Sequence, residues 1–194
     1  VESVISIDRP RESAWRFLSS QIRYAADTMA GDHTIIGSSG ATIAVDLAGN
    51  AKQILSGTST DGLVYDPARK RIILGDYSLQ QLLILKDSDL AEVKKISTQG
   101  HALTNLSFNP EKRILLTGDD FTTDLGVYDP SSDALRWIHD APATRDALYD
   151  SATNRIIAAT LRRVYWIQPS TGEIQKALKV PSIQIRLALD EPRR

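Results

Sequence analysis

The side chains of this sequence best suited to chemistry are three histidines and a short aspartate cluster. His101 and His139 each fall in a predicted connection between β-rich segments, so their imidazoles recur at matching places along the chain. An imidazole so placed can ligate a metal or move a proton near neutral pH. The Gly100-His101 pair also fits a plainer role, in which His101 braces its own turn by hydrogen bonding, and this is the preferred reading. No His-x-x-x-His or His-Glu pair at metal-binding spacing accompanies His33, His101 or His139. Asp119, Asp120 and Asp124 gather between two apolar runs, an oxygen-rich setting of the kind hard cations favour. The Asp-x-Asp-x-Asp-Gly order of a calcium loop is missing, and Thr122-Thr123 interrupts the cluster. No catalytic residue, cofactor or metal is therefore assigned, with calcium or another divalent ion at Asp119, Asp120 or Asp124 as the alternative.

Other chemistries are excluded by residue type. The chain has no cysteine, hence no thiolate nucleophile and no disulfide framework. It has no Gly-x-Ser-x-Gly nucleophile elbow. Gly37-Ser38-Ser39-Gly40 lacks the lysine of a phosphate-cradling loop and reads as a turn between two strands, as do Gly31-Asp32 and Gly49-Asn50. The formal net charge of −1, with basic clusters no longer than Arg69-Lys70-Arg71 and Arg162-Arg163, argues against nucleic acid. No apolar run approaches the ~20 residues of a membrane-spanning helix. The sequence does not assign a compartment, since proteins of several compartments lack cysteine.

The elements that must position these residues are repeated. LVYDPARKRIILGD (63–76), LSFNPEKRILLTGDD (106–120) and LYDSATNRIIAAT (148–160) each read as an apolar run, a polar turn, an arginine and a second apolar run. Arg71, Arg113 and Arg155 recur at 42-residue intervals. LLILKDSDLAEVKKI (82–96), LGVYDPSSDALRWI (125–138) and VYWIQPSTGEIQKAL (164–178) then supply a second pair of runs around a further turn. Val, Ile, Leu, Tyr and Trp fill the runs and Asp, Pro, Ser and Gly the turns, which is strand-and-hairpin chemistry. Four antiparallel strands, a to d, in about 40 residues make one blade of a β-propeller.

The expected fold is all-β: a propeller of about four complete blades with partial blades at both ends, cut from a ring of roughly six to eight blades. The expected blades are 1–20 (strands c and d only), 21–62, 63–103, 104–145, 146–184 and 185–194 (strand a only), all within one domain. LALDEPRR (187–194) matches the start of a further blade, and Val1 is read as a processed, engineered or truncated start. Helical spacing of Trp15, Leu18, Ile22, Ala25 and Met29 offers a competing helix over 14–29, against which the repeat register favours strands. Trp166 is expected in a core strand c, and Trp15 and Trp137 in blade-on-blade packing.

GHALTNLSFNPEKRILLTGDD (100–120) resembles the WD-repeat pattern through Gly100-His101, the run Leu106 to Pro110 and Thr117-Gly118, although Tyr128-Asp129 stands where Trp-Asp is usual. The VYDP and WIQPSTGE turns are similar to those of YVTN-type and quinoprotein-like propellers. The resemblance implies architecture far more than activity. The expected function is a non-catalytic interaction platform with a protein partner, and with self-association through exposed blade edges. The alternative is an enzyme or enzyme subunit of the propeller lactonase or quinoprotein-dehydrogenase kind, with a metal or cofactor at the central channel.

Overall fold

A computed structural model describes residues 26–30, 33–103, 105–109, 114–118, 124–141, 146–160, 162–181 and 187. These residues form fourteen strands and no helix: β1 (Ala26–Ala30), β2 (His33–Asp46), β3 (Ala51–Asp66), β4 (Arg71–Asp76), β5 (Gln81–Lys86), β6 (Glu92–Ser97), β7 (Asn105–Asn109), β8 (Ile114–Gly118), β9 (Leu125–Asp129), β10 (Ala134–Ile138), β11 (Asp146–Asp150), β12 (Arg155–Ala159), β13 (Arg163–Ile167) and β14 (Ile174–Lys179). All pairings are antiparallel, between consecutive strands, in one six-stranded sheet (β1–β6) and two four-stranded sheets (β7–β10 and β11–β14).

Turn chemistry fixes the hairpins. Asp66 accepts the backbone N–H of Ala68 at 3.0 Å, and Asp150 accepts that of Ala152 at 3.1 Å, each carboxylate building a local turn after the innermost strand. Both turns end on a left-handed residue, Lys70 (φ 52°) and Asn154 (φ 52°), before the next strand begins. Asp66 pairs with Arg71, Asn109 with Ile114 and Asp150 with Arg155, so the structural repeat places Ile114, not Arg113, at the position of the other two arginines. The 42-residue arginine spacing is thus 43 and then 41 in strand register; Arg113 lies outside the described residues.

Period-2 alternation assigns each middle strand to two interfaces at once. Ile72, Leu74, Leu83 and Leu85 of β4 and β5 pack with Ile35, Ala44 and Leu63 on one face. Ile73, Leu82 and Ile84 point the other way and pack with Leu103, just before the next sheet, and with Leu106 and Tyr128 within it. Leu125, Val127 and Ile138 of that sheet then pack with Ala147, Tyr149, Ile156, Ala158, Tyr165 and Ile167 of the last. Strands covered on both faces need continuous apolar runs, which is why RIILG and LLIL read as they do. The outer strands are wet, and all six residues of β14 are exposed.

One expectation is corrected, and another holds over its described part. Gly37-Ser38-Ser39-Gly40 is no turn: β2 runs straight through it. Pairing with β3 shifts register between Ser39 and Ala41, where Gly40 adopts φ 102°, so the glycine makes a bulge in a continuous strand. The helix considered over 14–29 is a strand over its last part, β1; residues 14–25 and Trp15 lie outside the described residues. Gly49 (φ 83°) does turn the chain between β2 and β3. β3 then continues unbroken from residue 51 to 66, serving the early hairpin with one half and β4 with the other.

Candidate functional site

The up-and-down order puts the connections that follow even-numbered strands at one end of the molecule. His101, Asp124 and His139 all belong to that end. His101 follows β6 in a tight turn: Gln99 (φ 56°) and Gly100 (φ 94°) are both left-handed, and the His101 N–H donates to Thr98 O at 3.1 Å. Two successive positive φ values define a type I′ turn, which explains the glycine before the histidine. The Thr98 hydroxyl donates back to His101 O, locking the turn from inside.

Asp124 immediately precedes β9, and its carboxylate draws the two histidines together. Asp124 Oδ2 lies 3.0 Å from His139 Nδ1 and 3.7 Å from His101 Nε2. The first distance is a hydrogen bond; the second is ion-pair contact only. Asp124 and His101 are each only 15% exposed at the side chain, whereas the His139 imidazole is 72% exposed. His101 stacks on Trp137 of β10 with ring centroids 3.7 Å apart and planes inclined by 20°. Trp137 Nε1 is the one buried side-chain nitrogen or oxygen without a hydrogen-bond partner among the described residues.

The two histidines therefore differ. His101 is a half-buried brace between its turn, an indole and a carboxylate, while His139 is an exposed imidazole tethered by one nitrogen. Asp119 and Asp120 lie outside the described residues. Among the described residues no three His, Asp or Glu side chains are disposed to hold a metal ion. Trp166, in β13, is half-buried with Lys176 Nζ 4.7 Å from its ring centroid, a cation–π contact. Trp137 was legible from its repeat position as packing; its stacking on His101 was not, because the partners are 36 residues apart in sequence.

No protein-family model and no curated protein sequence matches the chain. Solved structures do. Hydrazine synthase from Kuenenia stuttgartiensis is similar over 92% of this chain and 51% of its own, with a TM-score of 0.68 at 11% identity. Dihydro-heme d1 dehydrogenase NirN, solved in complex with DHE, is similar over 82% of this chain and 37% of its own, with a TM-score of 0.69 at 15% identity. Both are β-propeller proteins of the quinoprotein-like type. The fold is a β-propeller. The chain spans about half of the first of these proteins and little more than a third of the second. The architecture is widely shared, with 1125 solved chains matching, so the likeness settles the fold and leaves chemistry to the site. No helix among the described residues is long and apolar enough to cross a membrane.

Proposed function

We propose that this chain is the propeller part of an enzyme or enzyme subunit, with the end that carries His139 and Asp124 turned toward the reacting group. The observation that carries the reading is the 3.0 Å contact between His139 Nδ1 and Asp124 Oδ2 beneath an otherwise exposed imidazole. A carboxylate at Nδ1 holds the proton there and leaves the Nε2 lone pair facing outward. Such a nitrogen accepts a proton or ligates a metal, and the carboxylate fixes the orientation of the ring. With no three-residue metal cluster among the described residues, a metal at His139 would arrive held by other ligands, as in a metallated macrocycle. That both structural relatives named above are enzymes supports this reading over a purely structural platform.

The test is a haemin titration of the protein followed by absorbance, comparing wild type with His139→Ala and His33→Ala. A spectral change present in wild type and His33→Ala but lost in His139→Ala supports the reading. Equal behaviour of all three proteins contradicts it.

A second role is favoured by β14, whose residues are all exposed, Ile174 and Leu178 among them, at the edge of its sheet. An edge strand with apolar side chains is a template for pairing with another chain. Sedimentation of wild type against Leu178→Lys checks it: the variant is expected to shift any self-associated species toward monomer.

A further inference from the structure

The opposite end of the propeller holds a cleft that the proposed function does not use. It measures about 460 Å³ and is lined by Arg69, Lys70, Arg71, Lys86, Asp87, Ser88 and Val93. Two hairpin corners of one blade build it: Arg69 and Lys70 of the β3–β4 turn with Arg71 at the start of β4, and Lys86 at the end of β5 with Asp87 and Ser88 of the β5–β6 turn. The sequence alone makes Arg69-Lys70-Arg71 a solvated turn face. The structure adds a fourth cation from 15 residues further on and a concave shape between them.

The two walls are fixed to one another. The Asp87 N–H donates to Lys70 O at 3.1 Å, and the Tyr65 hydroxyl donates to Asp87 Oδ2 at 2.7 Å. Both guanidinium groups are anchored: Arg69 Nη1 on Asp66 Oδ2 at 3.0 Å, and Arg71 Nη1 on Asp133 Oδ1 of the next blade at 3.4 Å. Each contact uses one of the five N–H donors of an arginine, so the forks are oriented and still have donors to give. Lys70 and Lys86 make no ion pair among the described residues. Besides Asp66 and Asp133, which hold the two arginines, the nearby acidic groups are Asp87, which accepts the Tyr65 hydroxyl, and Asp89, which accepts the Ala91 N–H.

From this we infer that the cleft binds a small phosphate-bearing molecule. Anchored guanidinium groups with flanking ammonium groups suit the several acceptor oxygens of a phosphate or polyphosphate. A volume of about 460 Å³ leaves room for a small phosphate-bearing molecule. Val93 and the aliphatic stems of the lysines supply an apolar wall for the remainder of the ligand.

Calorimetric titration in low salt with tripolyphosphate, AMP and a hexa-aspartate peptide tests the assignment. The comparison is wild type against Lys70→Asn/Lys86→Gln and against Lys52→Gln/Lys179→Gln, which removes two exposed lysines elsewhere. Asparagine is chosen at position 70 because it tolerates the left-handed backbone there, and a thermal melt confirms that each variant folds. Tripolyphosphate or AMP should bind wild type and the control alike, and the cleft variant at least about tenfold more weakly. Binding of AMP alone points to a nucleotide, and of tripolyphosphate alone to a free polyphosphate. Tighter binding of the peptide, no binding at all, or equal loss in both lysine variants overturns the proposal.

Discussion

Asn105 Nδ2 donates to Asp146 Oδ1 at 3.0 Å, joining the first residue of one innermost strand to the first residue of the next. The same carboxylate accepts the Leu187 N–H through Oδ2 at 2.9 Å, so one side chain ties three successive positions around the propeller axis, each 41 residues from the last. Asp146→Ala would leave the Asn105 amide and the Leu187 N–H without this partner. A loss of about 2 kcal/mol is expected in denaturant unfolding, the cost of hydrogen bonds to a charged group. Asp146→Asn should recover part of it by keeping an acceptor.

Gly62 and Gly75 face each other across the β3–β4 pairing and make the flat place on which the next sheet sits. A Cβ on Gly62 would come within 2.5 Å of Leu106 Cγ and 2.9 Å of Leu106 N, whereas one on Gly75 would meet Leu103 Cβ at 3.2 Å. Backbone cannot give way as a side chain can. Gly62→Ala should therefore destabilise by about 2 kcal/mol or more, and Gly75→Ala by distinctly less. Equal costs would mean that the sheets do not meet as described.

Asp133 is the charged hub between two blades. Partial burial pushes its carboxyl up, but the Tyr128 hydroxyl, Lys94 and Arg71 outweigh this and hold it below the usual carboxylate range. The folded protein therefore binds fewer protons than the unfolded chain on the acid side, where an unfolded aspartate titrates near ~3.9. Stability from this group is present above that value and is lost as pH falls through the lower, folded one. Urea unfolding at pH 5 and pH 3 should show a smaller drop for Asp133→Asn than for wild type.

Tyr128 gives the opposite limb. Burial first, and then its hydrogen bond to Asp133, push the phenol above its ordinary range. The unfolded chain releases this proton near ~10 while the folded protein retains it, so stability falls as pH rises beyond that point. Tyr128→Phe should flatten the alkaline decline in a pH series of thermal melts, at the expense of one hydrogen bond at neutral pH.

The parts of this fold that were legible in the sequence are those decided locally. Aspartate-led turns, continuous apolar runs and their recurrence follow from nearby residues, and Asp66, Asp129 and Asp150 do build the turns their positions suggest. The parts that were not legible depend on what meets in space. Gly37 to Gly40 has turn composition, yet strand pairing on both sides carries β2 through it, and the buried hydroxyl contact of Thr42 with Thr60 at 2.8 Å holds the long hairpin together. The Asp133 contact with Arg71 spans 62 residues and has no signature in either segment. At the site, the recurrence of His101 and His139 was visible, as was the nearby Asp124. That one carboxylate oxygen lies between both rings was not.

Asp124 presents His139 with its Nδ1 occupied and its Nε2 available. Long-range proton–nitrogen NMR of the imidazoles reads this tautomer directly in wild type and Asp124→Asn. Neutral His139 is expected to carry its proton on Nδ1 in wild type and to shift toward the Nε2–H form in the variant. An Nε2–H tautomer in wild type, unchanged by the substitution, would contradict this role of Asp124.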